Sequence, residues 1–133
     1  AILIIKDSKY IYVKQINRHT GEKISREEEF LNEFEEETWT KPKCRSIVNN
    51  AFSSDEKQRV KGEEFIITMY IDPDTGKVAD VEFIFMTFNP YATIPISVYR
   101  KIEVEIKKNI WFKITPEGKK RNYIMLWWGQ EPK

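Results

Sequence analysis

The 133-residue sequence is poor in the side chains from which most catalytic and metal sites are built. His19 is its one histidine and lies in a polar Arg-His-Thr-Gly stretch, so a nucleophile–histidine dyad has no support and a multi-histidine metal site is excluded. Cys44 is its one cysteine, which excludes an intrachain disulfide and leaves the redox compartment open. The neighbours Lys43 and Arg45 favour a thiolate at Cys44, but no orienting partner lies nearby in the sequence. We therefore expect a spectator thiol and an exposed turn histidine.

Other signatures of chemistry are missing as well. The sequence has no phosphate-binding loop, no dinucleotide fingerprint and no serine elbow. The stretch Asp72–Gly76 is superficially similar to a calcium loop, but Phe83 stands where the bidentate Glu is required. No apolar run reaches the roughly 18 residues of a membrane-spanning helix. These absences predict a non-enzymatic protein with no catalytic residue, no metal and no cofactor. A hydrolase that uses an unrecognised carboxylate pair remains a minor alternative.

The composition is that of one folded domain spanning residues 1–133. Hydrophobic residues make up 41% and aromatic residues 14%, which is typical of a globule with a core. The net charge of +1 predicts no attraction to nucleic acid. The charge is nevertheless unevenly placed: Arg26–Glu37 carries seven Glu against one Arg, and Arg100–Arg121 carries eight basic residues against three Glu. Two solvated helix faces are the simplest interpretation, and contact between the segments or with a charged partner is the alternative.

The first residue is Ala1 rather than Met, which favours removal of an upstream segment such as an export signal. We expect a periplasmic, cell-envelope or secreted protein, with the alternative of a membrane anchor outside this chain.

The clearest structural signal is a β-hairpin. The strand-like runs Phe65–Ile71 and Val78–Phe88 flank Asp72–Gly76, in which Pro73 presets the turn and Gly76 supplies a left-handed residue. An amphipathic helix is predicted over Pro95–Ile110, because Val98, Ile102, Ile106 and Ile110 are spaced four apart and line one helix face. A Pro-Glu-Gly turn and a final aromatic strand follow.

The final strand is predicted over Asn122–Trp128. Its alternation sends one set of residues to each face, and both sets are apolar: Tyr123, Met125 and Trp127 against Ile124, Leu126 and Trp128. We expect partners packed on both faces.

The N-terminal half predicts strands at Ile2–Ile5 and Tyr10–Ile16 and an acidic helix over Ser25–Thr38. Ser25 and Glu28 form the pattern of a capping box, Phe30, Leu31 and Phe34 make the apolar stripe, and Pro42 forbids continuation of this helix. One or two short helical pieces are predicted between residues 41 and 61, with Ser54 as the candidate cap of a turn through Arg59. The expected fold class is α+β, with an antiparallel sheet of the hairpin and final strand packed on a helix, plus these extra N-terminal elements.

The pattern from about residue 52 to residue 130 resembles the C-terminal domain of TonB-type energy transducers. The matching residues are Val60-Lys61-Gly62, Ile71–Val78 with Asp80-Val81, Lys108–Phe112, Pro116–Gly118 and Tyr123–Trp128. Residues 1–50 are an extension that the family lacks, and its Tyr-Pro segment has no counterpart here. The resemblance implies a stand-alone exported relative of this fold, of the uncharacterised kind common in Bacteroidetes.

In that family the last strand pairs with receptor peptides. The resemblance therefore implies a protein-binding module whose sheet edge adds a partner strand or forms a homodimer. The equivalent binding residues here are Asn122, Tyr123, Ile124, Met125, Leu126, Trp127 and Trp128. A small-ligand or carbohydrate-binding domain that uses the Trp-rich surface is the alternative.

Overall fold

The computed structural model describes residues 2–5, for their backbone only, and residues 15–25, 32–85 and 90–133. In chain order, its elements are β1 (Ile2–Ile5), α1 (Thr40–Ala51), α2 (Ser54–Arg59), β2 (Phe65–Ile71), β3 (Val78–Ile84), α3 (Ile96–Asn109) and β4 (Ile124–Gln130). Short 3-10 helices cover Pro90–Thr93 and Gly118–Lys120. The predicted α+β class is confirmed.

The four strands form one antiparallel sheet in the order β1-β3-β2-β4. The hairpin partners β2 and β3 are thus central, with β1 and β4 at opposite edges of the described sheet. Ile67 on β2 lies opposite Phe83 on β3 and Trp128 on β4. Ile67 and Phe83 are fully buried. The face of the sheet that they share therefore carries the core.

The hairpin turn forms as its sequence predicts. Gly76 has φ +73°, and its N–H donates to the Asp72 carbonyl at 2.8 Å. The Asp72 carboxylate accepts from the backbone N–H of Asp74 at 2.8 Å. This Asx-type turn closes the loop without help from distant residues, which is why local sequence predicted it.

Helix α3 covers the core face of the sheet. Its predicted apolar positions Val98, Ile102 and Ile106 are all buried, and Ile110 follows at its C-cap. Burying each Ile side chain stabilises the fold by about 1.5–3 kcal/mol. Helix α1 packs against α3 and adds Cys44 and Val48 to the same core.

The predicted helix over Ser25–Thr38 is wrong for residues 32–38, which contain no helix, while residues 26–31 lie outside the described residues. Residues 32–35 are extended instead, and the Glu35 N–H donates to the Lys113 carbonyl at 2.9 Å. Pro42 does not end a helix but lies in the first turn of α1, where its missing N–H costs no helical hydrogen bond.

Three other boundaries differ from the predictions. Strand β3 ends at Ile84 rather than Phe88, and residues 86–89 are not described. Most of the predicted strand Tyr10–Ile16 is likewise outside the described residues. The capping residue of α2 is Ser53 rather than Ser54, with Glu56 completing the capping box.

Candidate functional site

The first two predicted binding residues, Asn122 and Tyr123, form hydrogen bonds with residues near the N-terminus of the same chain. The Asn122 N–H donates to the Ile16 carbonyl at 3.1 Å, and its side-chain oxygen accepts from the Ile16 N–H at 3.0 Å. Gln15 Nε2 donates to the Tyr123 carbonyl at 2.8 Å. Strand β4 accordingly begins at Ile124, two residues later than predicted. The candidate edge is shortened to the residues that follow Tyr123.

The other five predicted residues alternate between two environments. Ile124 is fully buried, whereas Leu126 and Trp128 are half-buried on the same face. Met125 and Trp127 lie on the opposite face with 42% and 64% exposure. In the described residues β4 pairs only with β2. The predicted alternation is therefore present. Packing on both faces was also expected, but in the described residues Met125 and Trp127 have no covering partner, and their face exposes an aromatic surface centred on Trp127.

A pocket of about 710 Å³ opens beside β4. Its floor contains Met69, Phe112 and Cys44, and one wall is formed by the β4 residues Leu126, Trp127 and Trp128. The facing wall comes from the extended segment 32–38 and the first turn of α1. The residues of that wall that line the pocket are Asn32, Phe34, Glu35, Glu36, Glu37, Thr38, Thr40 and Lys41. We call this feature the β4 pocket.

Backbone pairing holds the facing wall in place. Phe34 forms an isolated bridge with Ile114, and the Thr115 N–H donates to the Glu33 carbonyl at 3.1 Å. The Thr115 hydroxyl donates to the Asn32 carbonyl at 2.6 Å. The Phe34 ring lies 4.8 Å from the Phe112 ring. The wall is thus fixed by residues about 80 positions later in the chain.

A buried ion pair joins the acidic and basic segments. Arg121 Nη1 lies 3.3 Å from Glu33 Oε2, and the Arg121 side chain is only 4% exposed. Burial raises the pKa of Glu33, and the Arg121 charge and a hydrogen bond from Gln15 oppose this increase. The alternative that these segments contact each other is therefore supported at this pair.

Glu37 has a structural role at the rim of the β4 pocket. Its Oε2 accepts from the backbone N–H groups of Trp39 at 3.1 Å and Thr40 at 2.9 Å. A carboxylate at this position also interacts favourably with the positive end of the α1 dipole. Glu35 and Glu36 are exposed neighbours on the same rim.

The two residues weighed for chemistry lie in different environments. Cys44 is 1% exposed, and burial raises the pKa of its thiol to about 12, outweighing the opposing charge of Arg45. Burial thus disfavours the thiolate that its cationic neighbours would favour, in agreement with the expected spectator thiol. His19 lies in an exposed turn. In residues 15–25, 32–85 and 90–133, no group of three or more His, Cys, Asp or Glu side chains is arranged to hold a metal ion.

None of the helices in the described part of the chain is both long and apolar enough to cross a membrane.

Sequence reasoning missed the facing wall of the β4 pocket. It assigned Phe34 to the apolar stripe of a helix and did not single out Glu35 or Glu36. One local signal was available: Pro42 is tolerated in the first turn of a helix, so it also marks a helix start near Thr40. The pairing of residues 32–35 with 113–115 has no comparable local signal.

Comparison with known proteins gives a family and a solved relative. No curated protein matches the chain. A crystal structure of a DUF5043 family protein from Bacteroides uniformis, at 1.85 Å resolution, is similar with a TM-score of 0.85 and 36% sequence identity. The match covers 99% of this chain and 75% of that one. This match fits the expectation of a Bacteroidetes-type protein, whereas the expected TonB-like fold is not confirmed by it. The family model described as "Domain of unknown function (DUF5043)" matches residues 1–128, and the chain therefore belongs to the DUF5043 family.

Proposed function

We propose that the protein is a non-enzymatic binding module that holds an extended peptide segment of a partner protein along β4. The observation that carries the proposal is the coincidence of two features. Strand β4 is at an edge of the described sheet, and its residues Leu126–Trp128 also line the β4 pocket. An edge strand offers backbone hydrogen bonds to an added strand, and an adjacent pocket offers side-chain specificity.

The resemblance to TonB-type C-terminal domains supports the same mode of binding, because their last strand pairs with receptor peptides. It also supports export to the periplasm or cell envelope. Fractionation of cells that express the natural full-length protein, followed by immunodetection, tests this location. Recovery in the cytoplasmic fraction alone would contradict it.

A displayed library of random nonapeptides supplies the probe for strand addition. We expect selected peptides, synthesised and titrated by calorimetry, to lose at least about tenfold in affinity when alternate amides are N-methylated. The intervening set of amides should tolerate methylation, because only every second N–H of an added strand faces β4. Hydrogen exchange should show new protection at residues 124–130 on binding.

Two exposed tryptophans provide a matched pair of variants. Trp127→Ala is expected to weaken peptide binding, whereas Trp111→Ala, which removes a Trp with 42% exposure outside the β4 pocket, should leave it unchanged. Equal effects of the two variants, or protection at another strand, would contradict the proposal.

Two other occupants of the β4 edge would be detected by further measurements. A second copy of the chain would show concentration-dependent mass in sedimentation, reduced by Trp127→Ala. An experimental structure with residues 6–14 paired to β4 would identify the chain itself as the occupant. Either result would overturn binding of a partner strand at this edge.

A small-ligand or carbohydrate-binding function is the second candidate, favoured by the size and lining of the pocket. The volume of about 710 Å³ lies within the range of small-molecule sites, and the indoles of Trp127 and Trp128 suit stacking on a sugar ring. Saturable binding of neutral oligosaccharides that abolishes peptide binding would favour this candidate over strand addition.

A further inference from the structure

The rim of the β4 pocket carries an excess of negative charge. Among the described residues that line it, Glu35, Glu36 and Glu37 stand against one cation, Lys41. Glu37 already accepts two backbone N–H groups at the start of α1, so its carboxylate is committed to that helix. Glu35 and Glu36 are exposed. A ligand in the pocket therefore lies near carboxylates that carry no such structural role.

The interior of the same pocket is apolar and aromatic. Phe34 and Phe112 lie against one another at 4.8 Å, and the half-buried Trp128 lines the pocket on the β4 side. Aromatic faces attract cations, and the aliphatic stem of a Lys or Arg side chain packs well on such rings. A neutral apolar side chain would fill the interior but would leave the rim carboxylates without a counter-charge.

The direction of approach follows from strand geometry. In a strand paired with β4, every second side chain lies on the face that also carries Leu126 and Trp128. The β4 pocket opens beside those two residues. One side chain of an added strand is therefore directed into the pocket.

We propose that the β4 pocket selects a basic side chain, with arginine preferred, from the partner strand. This proposal rests on the proposed strand addition. The planar guanidinium would stack on an indole while its N–H groups bond to Glu35 and Glu36, an arrangement for which arginine is better suited than lysine.

Butylguanidinium, titrated alone at millimolar concentrations, tests the pocket without any peptide. Its uncharged control is butylurea, which has nearly the same shape. We expect butylguanidinium to shift the indole N–H resonance of Trp128 saturably, with that of Trp111 unchanged. Butylurea should bind at least about fivefold more weakly. Equal affinity of the two probes, or no saturable shift, would overturn the proposal.

Charge-neutral variants separate the rim from the overall charge of the protein. The double variant Glu35→Gln/Glu36→Gln should reduce butylguanidinium affinity at least about fivefold, to near that of butylurea. The matched control Glu22→Gln/Glu63→Gln changes two exposed carboxylates outside the pocket lining and should bind as the unmodified protein does. A similar loss in both double variants would contradict a specific role of the rim.

The two proposals fail in different ways. Selected peptides that protect β4 but show no preference for Arg or Lys would refute the basic-side-chain pocket and leave strand addition intact. Saturable butylguanidinium binding together with insensitivity to peptide N-methylation would refute strand addition and identify a site for small organic cations.

Discussion

Gly76 shows how strongly a single residue position can be constrained. Its φ of +73° is one that side-chain-bearing residues rarely adopt, and a Cβ there would lie 1.9 Å from the Phe112 carbonyl oxygen. Gly62 has a similar φ of +87°, but a Cβ at that position would meet no atom within 4 Å. A substitution at Gly62 therefore introduces backbone strain alone, whereas one at Gly76 introduces both backbone strain and steric overlap.

The first prediction compares Gly76→Ala with Gly62→Ala. We expect the Gly62 variant to lose about 1 kcal/mol of unfolding free energy from the left-handed backbone alone. The Gly76 variant should lose about 2–4 kcal/mol, because the Phe112 carbonyl must also move. Urea denaturation measures both. Equal losses would show that the contact between the turn and Phe112 is absent in solution.

A second prediction at this scale concerns His19. His19→Ala should leave peptide binding unchanged, since this side chain lies in an exposed turn and does not line the β4 pocket. Calorimetric titration with a selected peptide provides the measurement. Loss of binding in a variant with an intact circular dichroism spectrum would make that residue part of the site.

At the scale of elements, Gln130 connects the end of β4 to α1. Its Nε2 donates to the Arg45 carbonyl at 3.0 Å and to Asn49 Oδ1 at 2.9 Å. Its Oε1 accepts from Trp128 Nε1 at 2.8 Å. One buried amide thus holds both a helix and a wall residue of the β4 pocket in position.

The third prediction is that Gln130→Ala destabilises the fold by about 1–3 kcal/mol, because it removes a buried amide and leaves its partly buried partners without these hydrogen bonds. The exposed Gln58→Ala in α2 is the control and should change stability by less than about 0.5 kcal/mol. Denaturant titration followed by tryptophan fluorescence measures both. A loss in Gln130→Ala no larger than that in the control would show that the helix and strand are held together by other contacts.

For the whole molecule, burial of weak acids predicts how stability depends on alkaline pH. Burial raises the pKa of Cys44 to about 12, and burial with the neighbouring Glu82 charge raises that of Tyr70 to about 12. Because each group is protonated more readily in the folded state, its contribution is fully present below the unfolded-state pKa. That contribution is lost as pH rises towards the folded-state value.

The fourth prediction follows from this loss of stability at alkaline pH. Between about pH 9 and pH 12, the unfolding free energy should fall, and Cys44→Ala should reduce the slope by about 1.4 kcal/mol per pH unit, the value for one proton. The cavity left by the substitution shifts the whole curve but does not alter its slope. Denaturation of both proteins at pH 8.5, 9.5 and 10.5 is the measurement. Parallel curves would contradict a buried, protonated thiol.

The sequence alone determined the parts of the fold that depend on short-range chemistry. The Asp72–Gly76 turn is closed by its own backbone and side chains, so its residues suffice to predict it. The four-residue spacing of Val98, Ile102 and Ile106 likewise identifies the buried face of α3. The alternation along β4 predicted which residues share a face, although not where the strand starts.

Tertiary structure decided the conformation of residues 32–38 and therefore the existence of the β4 pocket. Local charge and apolar spacing favoured a helix there, but pairing with residues 113–115 satisfies the same backbone groups in an extended form. Bonds from Gln15 and Ile16 similarly moved the start of β4 past Tyr123. Because these partners lie about 80 to 110 residues apart, the competition between local propensity and distant hydrogen bonds is resolved only when the whole chain packs.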